Sequence, residues 1–261
     1  MLKSSFSGVV YKVVATTFVV SGLVVGIAGT AFAEDAEPGF GGAERGTFFD
    51  SVFYWGVDLN GASSNQYGIG ADAGFVTAVN GNIGASGWTL TANAGVSRSV
   101  DSSSDTDAIS GSLLVGYQWQ MPQYYFSLSA GITAIDEDES PSTGSSNGSE
   151  VGLIVQYGFE KTTENSIYLQ SYGSFSTAFD QIYMHAKVGR KAEVLKYGVE
   201  LTLLDSRGGD ATLRYGAFVG DIPLGANWTM GVSAGYQQEL EPGRSDGAYA
   251  LLSFVVPLNI R

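Results

Sequence analysis

His185 is the only histidine in the chain, so any imidazole acid–base chemistry must centre on it. It stands in IYMHAKVG, residues 182–189. A lipid-hydrolysing or acyl-transfer site needs a nucleophile beside an imidazole base, with a third polar group to orient the ring. Here Ile182, Met184, Ala186 and Val188 alternate with Tyr183, His185 and Lys187, and no serine follows at the spacing such a site requires. The expectation is a hydrogen-bonding histidine, with no catalytic residue and no enzyme activity. The same two-residue spacing puts Asp58, Asp72, Glu160, Lys187, Glu200 and Arg214 on the polar face of their own segments. With His185 they form a candidate polar cluster. Charged groups held together away from water either pair into a plug or line a narrow wet passage, and a plug or a very narrow passage is the expectation here.

Two further chemistries are readable. Asp136, Glu137, Asp138 and Glu139 are the densest run of carboxylates, and such a run can collect calcium or magnesium. It lacks the glycine-spaced ligand alternation of a calcium loop, and the PSTGSSNGS that follows at 141–149 predicts a solvated tip. Sugar binding uses aromatic platforms. Tyr67, Tyr168, Tyr172 and Phe179 are candidate glucan contacts, with Tyr124 and Tyr125 beside them, against the competing expectation that all serve packing. There is no cysteine, which removes disulfides, thiol catalysis and cysteine metal sites. No cofactor or metal is expected.

The elements that carry these residues show one dominant pattern. Trp88, Leu90, Ala92, Ala94 and Val96 fall on one face of a segment whose other face is Thr89, Thr91, Asn93, Gly95 and Ser97. Only a strand sorts residues with a period of two. Twelve such segments are predicted, near 47–59, 66–79, 87–100, 106–121, 123–135, 149–160, 165–175, 179–189, 194–204, 211–220, 225–237 and 247–260. They follow an export signal: Lys3 and Lys12, an apolar run from Val13 to Ala28, and Ala31-Phe32-Ala33 as a small-x-small cleavage site. The predicted organisation is a signal peptide at 1–33, a polar lead at 34–46, and one domain at 47–261. Removing the signal leaves 11 basic against 26 acidic residues, so nucleic acid is excluded as a partner.

Short connections (Pro122-Gln123, 161–164, 190–193, 221–224) broadly alternate with longer ones (101–105, 136–148, 205–210, 238–246), with 80–86 a longer exception. This is the rhythm of a bacterial outer-membrane barrel, whose turns are short on the periplasmic side. Alternation alone leaves the inward face open, and a soluble barrel would put the apolar face inside. Aromatic residues near strand ends (Trp88, Tyr117, Trp119, Tyr157, Phe159, Trp228, Tyr236, Tyr249) predict interfacial girdles and therefore lipid on the apolar face. The expected fold is all-β: a transmembrane antiparallel up-and-down β-barrel of about twelve strands, with outer-membrane lipid as its surroundings.

The run GVDLNGASSNQYGIGADAGFVTAVNGNIGASGWTLTANAGV at 56–96 resembles the cellulose biosynthesis protein BcsS family. The resemblance continues through LLVGYQW at 113–119 and YLQSYGSFSTAFDQIYMHAKVGR at 168–190, and covers the chain from about residue 50 to its end. It implies an outer-membrane accessory role in making or exporting cellulose, with cellulose and synthase or export components as partners. It carries over no catalytic residue. A small-solute porin and a structural or adhesive barrel are the alternatives that the residues themselves leave open.

Overall fold

The computed structural model describes residues 49–63, 66–100, 105–140, 147–161, 166–205, 211–225, 227–240 and 246–260. The expected signal and lead, and parts of several outer loops, lie outside these residues. The described strands are β1 (Ser51–Ser63), β2 (Gln66–Ala78), β3 (Gly87–Val100), β4 (Asp105–Met121), β5 (Tyr124–Ser140), β6 (Gly148–Lys161), β7 (Ile167–Ser176), β8 (Gln181–Lys191), β9 (Lys196–Asp205), β10 (Thr212–Gly225), β11 (Trp228–Glu239) and β12 (Gly247–Leu258). Each pairs antiparallel with its neighbours in sequence, and β1 pairs with β12 to close a twelve-strand barrel. Closure gives every strand a partner on both sides, which removes the free edge strands that a sheet of this composition would otherwise expose.

The orientation of the two faces is the reverse of a soluble barrel. Leu113 (61% exposed), Val151 (77%) and Leu153 (65%) point outward, while Asp58, Glu160, His185 and Arg214 point inward and are buried. Outward aromatic residues collect at the end that carries both termini. Trp88, Tyr117, Trp119 and Phe126 form a continuous chain of ring contacts there, with Tyr124 stacked on Phe159 nearby. Tyr249 departs from the expected girdle. It lies one position off the outward set Ala250, Leu252 and Phe254, so its ring enters the lumen and is buried.

Three boundaries differ from the sequence expectation for a common reason: pairing continues through residues whose composition suggests loops. β1 runs on to Ser63, because Asn60 and Gly61 stay in register with Gly68 and Tyr67 and the hairpin closes at Ser63 and Gln66. β10 continues past Gly220 across a register shift at Val219/Ile222, where Asp221 takes a φ of 56°. β5 runs through Ser140, so Asp136–Glu139 belong to a strand and not to the predicted loop. The period of two sorts the run: Asp136 and Asp138 point outward, and Glu137 and Glu139 point inward. Among the described residues no three carboxylate or imidazole groups converge as a metal site.

The wall is uneven in height. β4 and β5 each have 17 residues, whereas β7 has 10 and β8 has 11. The β7–β8 connection folds in against the taller side. Phe179, at φ 53°, packs on Ile135, and its amide donates to Glu150 Oε2 at 2.7 Å.

Candidate functional site in the barrel lumen

The lumen is spanned by ion pairs. Arg214 on β10 donates from its two terminal nitrogens to Asp58 on β1, at 2.7 and 3.2 Å. Its Nε donates to Gln237 Oε1 at 2.8 Å, and the guanidinium lies 5.2 Å from the Tyr249 ring centroid. β11 and β12 separate these two strands in the wall, so the fork crosses the bore. Glu200 on β9 is a second node. It accepts from Tyr249 Oη at 2.8 Å and from Ser233 Oγ at 2.9 Å, with Lys187 Nζ at 3.7 Å. Lys196 is a third node, held by Glu160 at 2.8 Å across β7 and β8, and by Asp221 at 2.9 Å. Because these groups are desolvated, each charge depends on its partner for stabilisation.

His185 sits inside this network. Its Nδ1 is 2.7 Å from Thr202 Oγ1, and Nε2 is 3.6 Å from Glu200 Oε2, while the ring stacks on Tyr172 with centroids 4.8 Å apart. Thr202, His185 and Glu200 have the composition of a nucleophile, base and orienting acid. Thr202 is only 6% exposed, however, and its hydroxyl is engaged by His185 Nδ1. Asp72 stands apart from the network. Its register neighbours on both sides are Gly56 and Gly95, and neither of its carboxylate oxygens has a hydrogen-bond partner.

Six of the seven candidate cluster residues therefore meet through Arg214, Glu200 and Lys196. Lys196, Asp221 and Tyr249 do as much as the expected members but are not among the cluster candidates that the sequence offers, Tyr249 being expected in the girdle. Lys196 was legible in principle, because it is four residues before Glu200 and hence on the same face of β9. Among the candidate glucan contacts, Tyr67 falls on the outward face at 48% exposure, since it is an odd position on a strand whose even positions point inward. Tyr172 is committed to His185, and Tyr168 packs on Phe218 at 5.8 Å with Lys196 Nζ over its ring at 5.0 Å. Phe179 is buried against Ile135. Of the four, only Tyr67 presents a free ring to its surroundings.

A second closure was not visible in the sequence beyond the unusual length of its loop. The β2–β3 connection turns into the lumen at the termini end. Ile83, 1% exposed, packs among Val52, Tyr54, Val76, Ala78 and Val255. The backbone of this inward loop is fixed from both sides. Ile83 N–H donates to Phe49 O at 2.9 Å, and Gln118 Nε2 donates to Ile83 O and Ala85 O, each at 2.6 Å. Asn80 and Asn82 accept from the amides of Asn82 and Gly84, and Gly81 takes a φ of 79°, which lets eight residues bend back on themselves.

Comparison with solved structures gives the fold. A mutant TodX monoaromatic hydrocarbon channel superposes with a TM-score of 0.53 at 9% identity, covering 97% of this chain and 100% of that one. The β domain of the Bordetella autotransporter BrkA gives a TM-score of 0.50 at 10% identity, covering 80% of this chain and 99% of that one. Both likenesses are of architecture. No curated protein matches in sequence. The family described as cellulose biosynthesis protein BcsS matches residues 52–258, which is the whole barrel from β1 to the end of β12. The barrel is its shared domain, and this chain belongs to the cellulose biosynthesis protein BcsS family.

Proposed function

We propose that this protein is a non-enzymatic outer-membrane barrel that serves as an accessory in bacterial cellulose biosynthesis or export. It reaches the membrane through the export signal at 1–33, spans it with its termini toward the periplasm, and anchors or organises the secretion site without conducting glucan. The family match over residues 52–258 carries the cellulose part. The outward apolar wall with a girdle at the termini end supports the location. The Arg214–Asp58 fork and the inward Ile83 loop support a role outside the bore, since a glucan chain would have to displace both. Cellulose and the synthase or export components are its proposed partners.

The test is a clean deletion of the gene with complementation, measuring extracellular cellulose by dye binding and enzymatic digestion, with barrel insertion verified by heat-modifiable gel mobility. The expected result is loss of extracellular cellulose that the complementing copy restores. Unchanged cellulose with a properly inserted barrel overturns the proposal. In planar bilayers the wild-type barrel is expected to give no single-channel steps in potassium chloride, and regular steps would favour a small-solute porin.

A further inference from the structure

At the rim opposite the termini, β6 is paired on one side only. β5 lies against it from Gly148 to Lys161, whereas β7 pairs with it only from Ile154 to Glu160. The cause is the early departure of the chain from β7. Thr177 still stands opposite Leu153. Its N–H donates to Leu153 O at 2.9 Å, and its Oγ1 takes the place of a main-chain carbonyl by accepting from Leu153 N–H at 2.9 Å. Beyond it the chain turns inward through Phe179 and Asp180, at φ 53° and 44°, and Phe179 is buried against Ile135. Among the described residues no strand lies opposite 148–152 on that side.

Successive residues of an antiparallel strand direct their main-chain groups to alternate sides. Leu153 directs its N–H and C=O toward β7, so Val151 and Ser149 direct theirs the same way and form a short open ladder. The devices that blunt such an edge are missing: GSEVG at 148–152 holds no proline, lysine or bulge, and its one charge, Glu150, is turned onto the Phe179 amide at 2.7 Å. The side chains beside the ladder define what fits it. Val151 points outward and is 77% exposed. Asp136, which accepts from Ser149 Oγ, and Asp138 also face outward, on β5, and among the described residues neither is paired with a cation. The outward cation described on this rim, Arg98 on β3, is held by Asp105 at 2.7 Å. A strand added at the edge would stand two spacings of about 4.8 Å from β5, within reach of the two carboxylates for a lysine or arginine laid over Ser149. A second copy is the poorer occupant, since it would bring the same carboxylates against these.

We propose that the open edge of β6 at 148–152 docks an extended, basic segment of a partner protein by strand addition. The segment forms main-chain hydrogen bonds with Ser149 and Val151, sets an apolar residue against Val151, and lays basic residues at the next alternate positions toward Asp136 and Asp138. The inference stands on the edge and its charges and does not depend on the cellulose role.

The experiment uses the full barrel refolded in detergent, with folding verified by heat-modifiable mobility, and follows binding of the labelled peptide acetyl-Val-Thr-Lys-Thr-Lys-amide by fluorescence anisotropy. Wild-type protein is expected to bind it saturably and to bind the same peptide with glutamate in place of lysine at least about tenfold more weakly. Methylating the peptide nitrogens of its valine and first lysine, which would face Val151 and Ser149, is expected to weaken binding at least about tenfold through lost ladder bonds. Val151→Pro removes an N–H that faces the open side, so the barrel keeps its pairing with β5 while binding falls by a similar factor. The methylated peptide carries the same test on wild-type protein if that variant does not fold. The double variant Asp136→Asn, Asp138→Asn is expected to remove the preference for lysine over glutamate. Absence of saturable binding overturns the proposal. So does binding that responds to charge but not to methylation or Val151→Pro, which would be attraction without strand addition, and so does displacement of the peptide by cellohexaose, which would make the rim a glucan surface.

Discussion

The fork between Arg214 and Asp58 gives a direct test of whether the lumen is dry. Arg214→Met removes two hydrogen bonds to a carboxylate that is 4% exposed, together with a third to Gln237. Breaking a buried pair by deleting one partner costs about 3–5 kcal/mol, because the remaining charge stays desolvated and alone. That corresponds to a factor of roughly 150 to 4,000 in the unfolding equilibrium. If water filled the bore, the same pair would behave as an exposed one and contribute about 0–1 kcal/mol. Asp58→Leu should cost a similar amount by stranding the guanidinium. The double variant Arg214→Met, Asp58→Leu removes both charges and should return to within about 1 kcal/mol of wild type, or exceed it. The assay is urea unfolding of barrel refolded into phospholipid vesicles, read by tryptophan fluorescence, since Trp88, Trp119 and Trp228 all lie on the outer surface at the termini end. Single losses below about 1 kcal/mol that sum in the double variant to within about 0.5 kcal/mol would refute the filled lumen.

Three other substitutions probe separate parts of the fold. Leu113→Arg, an outward position midway along β4, should cost about 2–4 kcal/mol in vesicles, and a change near zero would count against lipid on that face. Ile83→Ala should destabilise by about 2–5 kcal/mol, as a core residue does, where an exposed turn residue would change stability by about 0.5 kcal/mol or less in the same unfolding assay. A Cβ at Gly74 would overlap the Tyr54 ring, whose Oη donates to Asn93 Oδ1 at 2.6 Å. Gly74→Val should therefore cost about 1–3 kcal/mol, and adding Tyr54→Ala should relieve the overlap, so strictly additive losses would show that the ring is not the obstacle.

The architecture was legible because one signal repeats. An alternation such as Leu113, Val115, Tyr117 against Ser112, Gly116, Gln118 admits only a strand, and twelve repeats admit few folds. The same parity put Asp58, His185 and Arg214 on the inner face before any coordinates. Parity fixes a face but not a partner: which strand stands across the bore depends on closure and stagger, and these leave no mark in local sequence. So the approach of Arg214 to Asp58, 156 residues apart, had to be seen. Loop composition misled where pairing overrode it, as at Asp136–Glu139, whose charges suggest solvent but whose neighbours Thr106–Ile109 on β4 hold them in the sheet. The inward turn of Ile83 was hidden for a related reason. A lone isoleucine among Asn and Gly is a weak signal until Val52, Tyr54 and Val255 gather around it.

Two closures of different chemistry lie in series along the bore. One is polar, with charges held across the lumen by Arg214 and Glu200, and the other is apolar, with Ile83 seated among valines and Tyr54. They share no side chain. Neither a change in salt, which acts on exposed charge, nor the loss of one apolar contact removes both. Passage of a polymer would require the ion pairs to be desolvated again in new partners while the Ile83 loop left its hydrogen bonds to Phe49 and Gln118. The energy of such a rearrangement is spread over many groups, so it is not supplied by a passing neutral glucan, whose hydroxyls offer no charge to compensate Asp58 or Glu160. The proposed accessory role is therefore better sought on the outer wall and the rims than along the axis of the barrel.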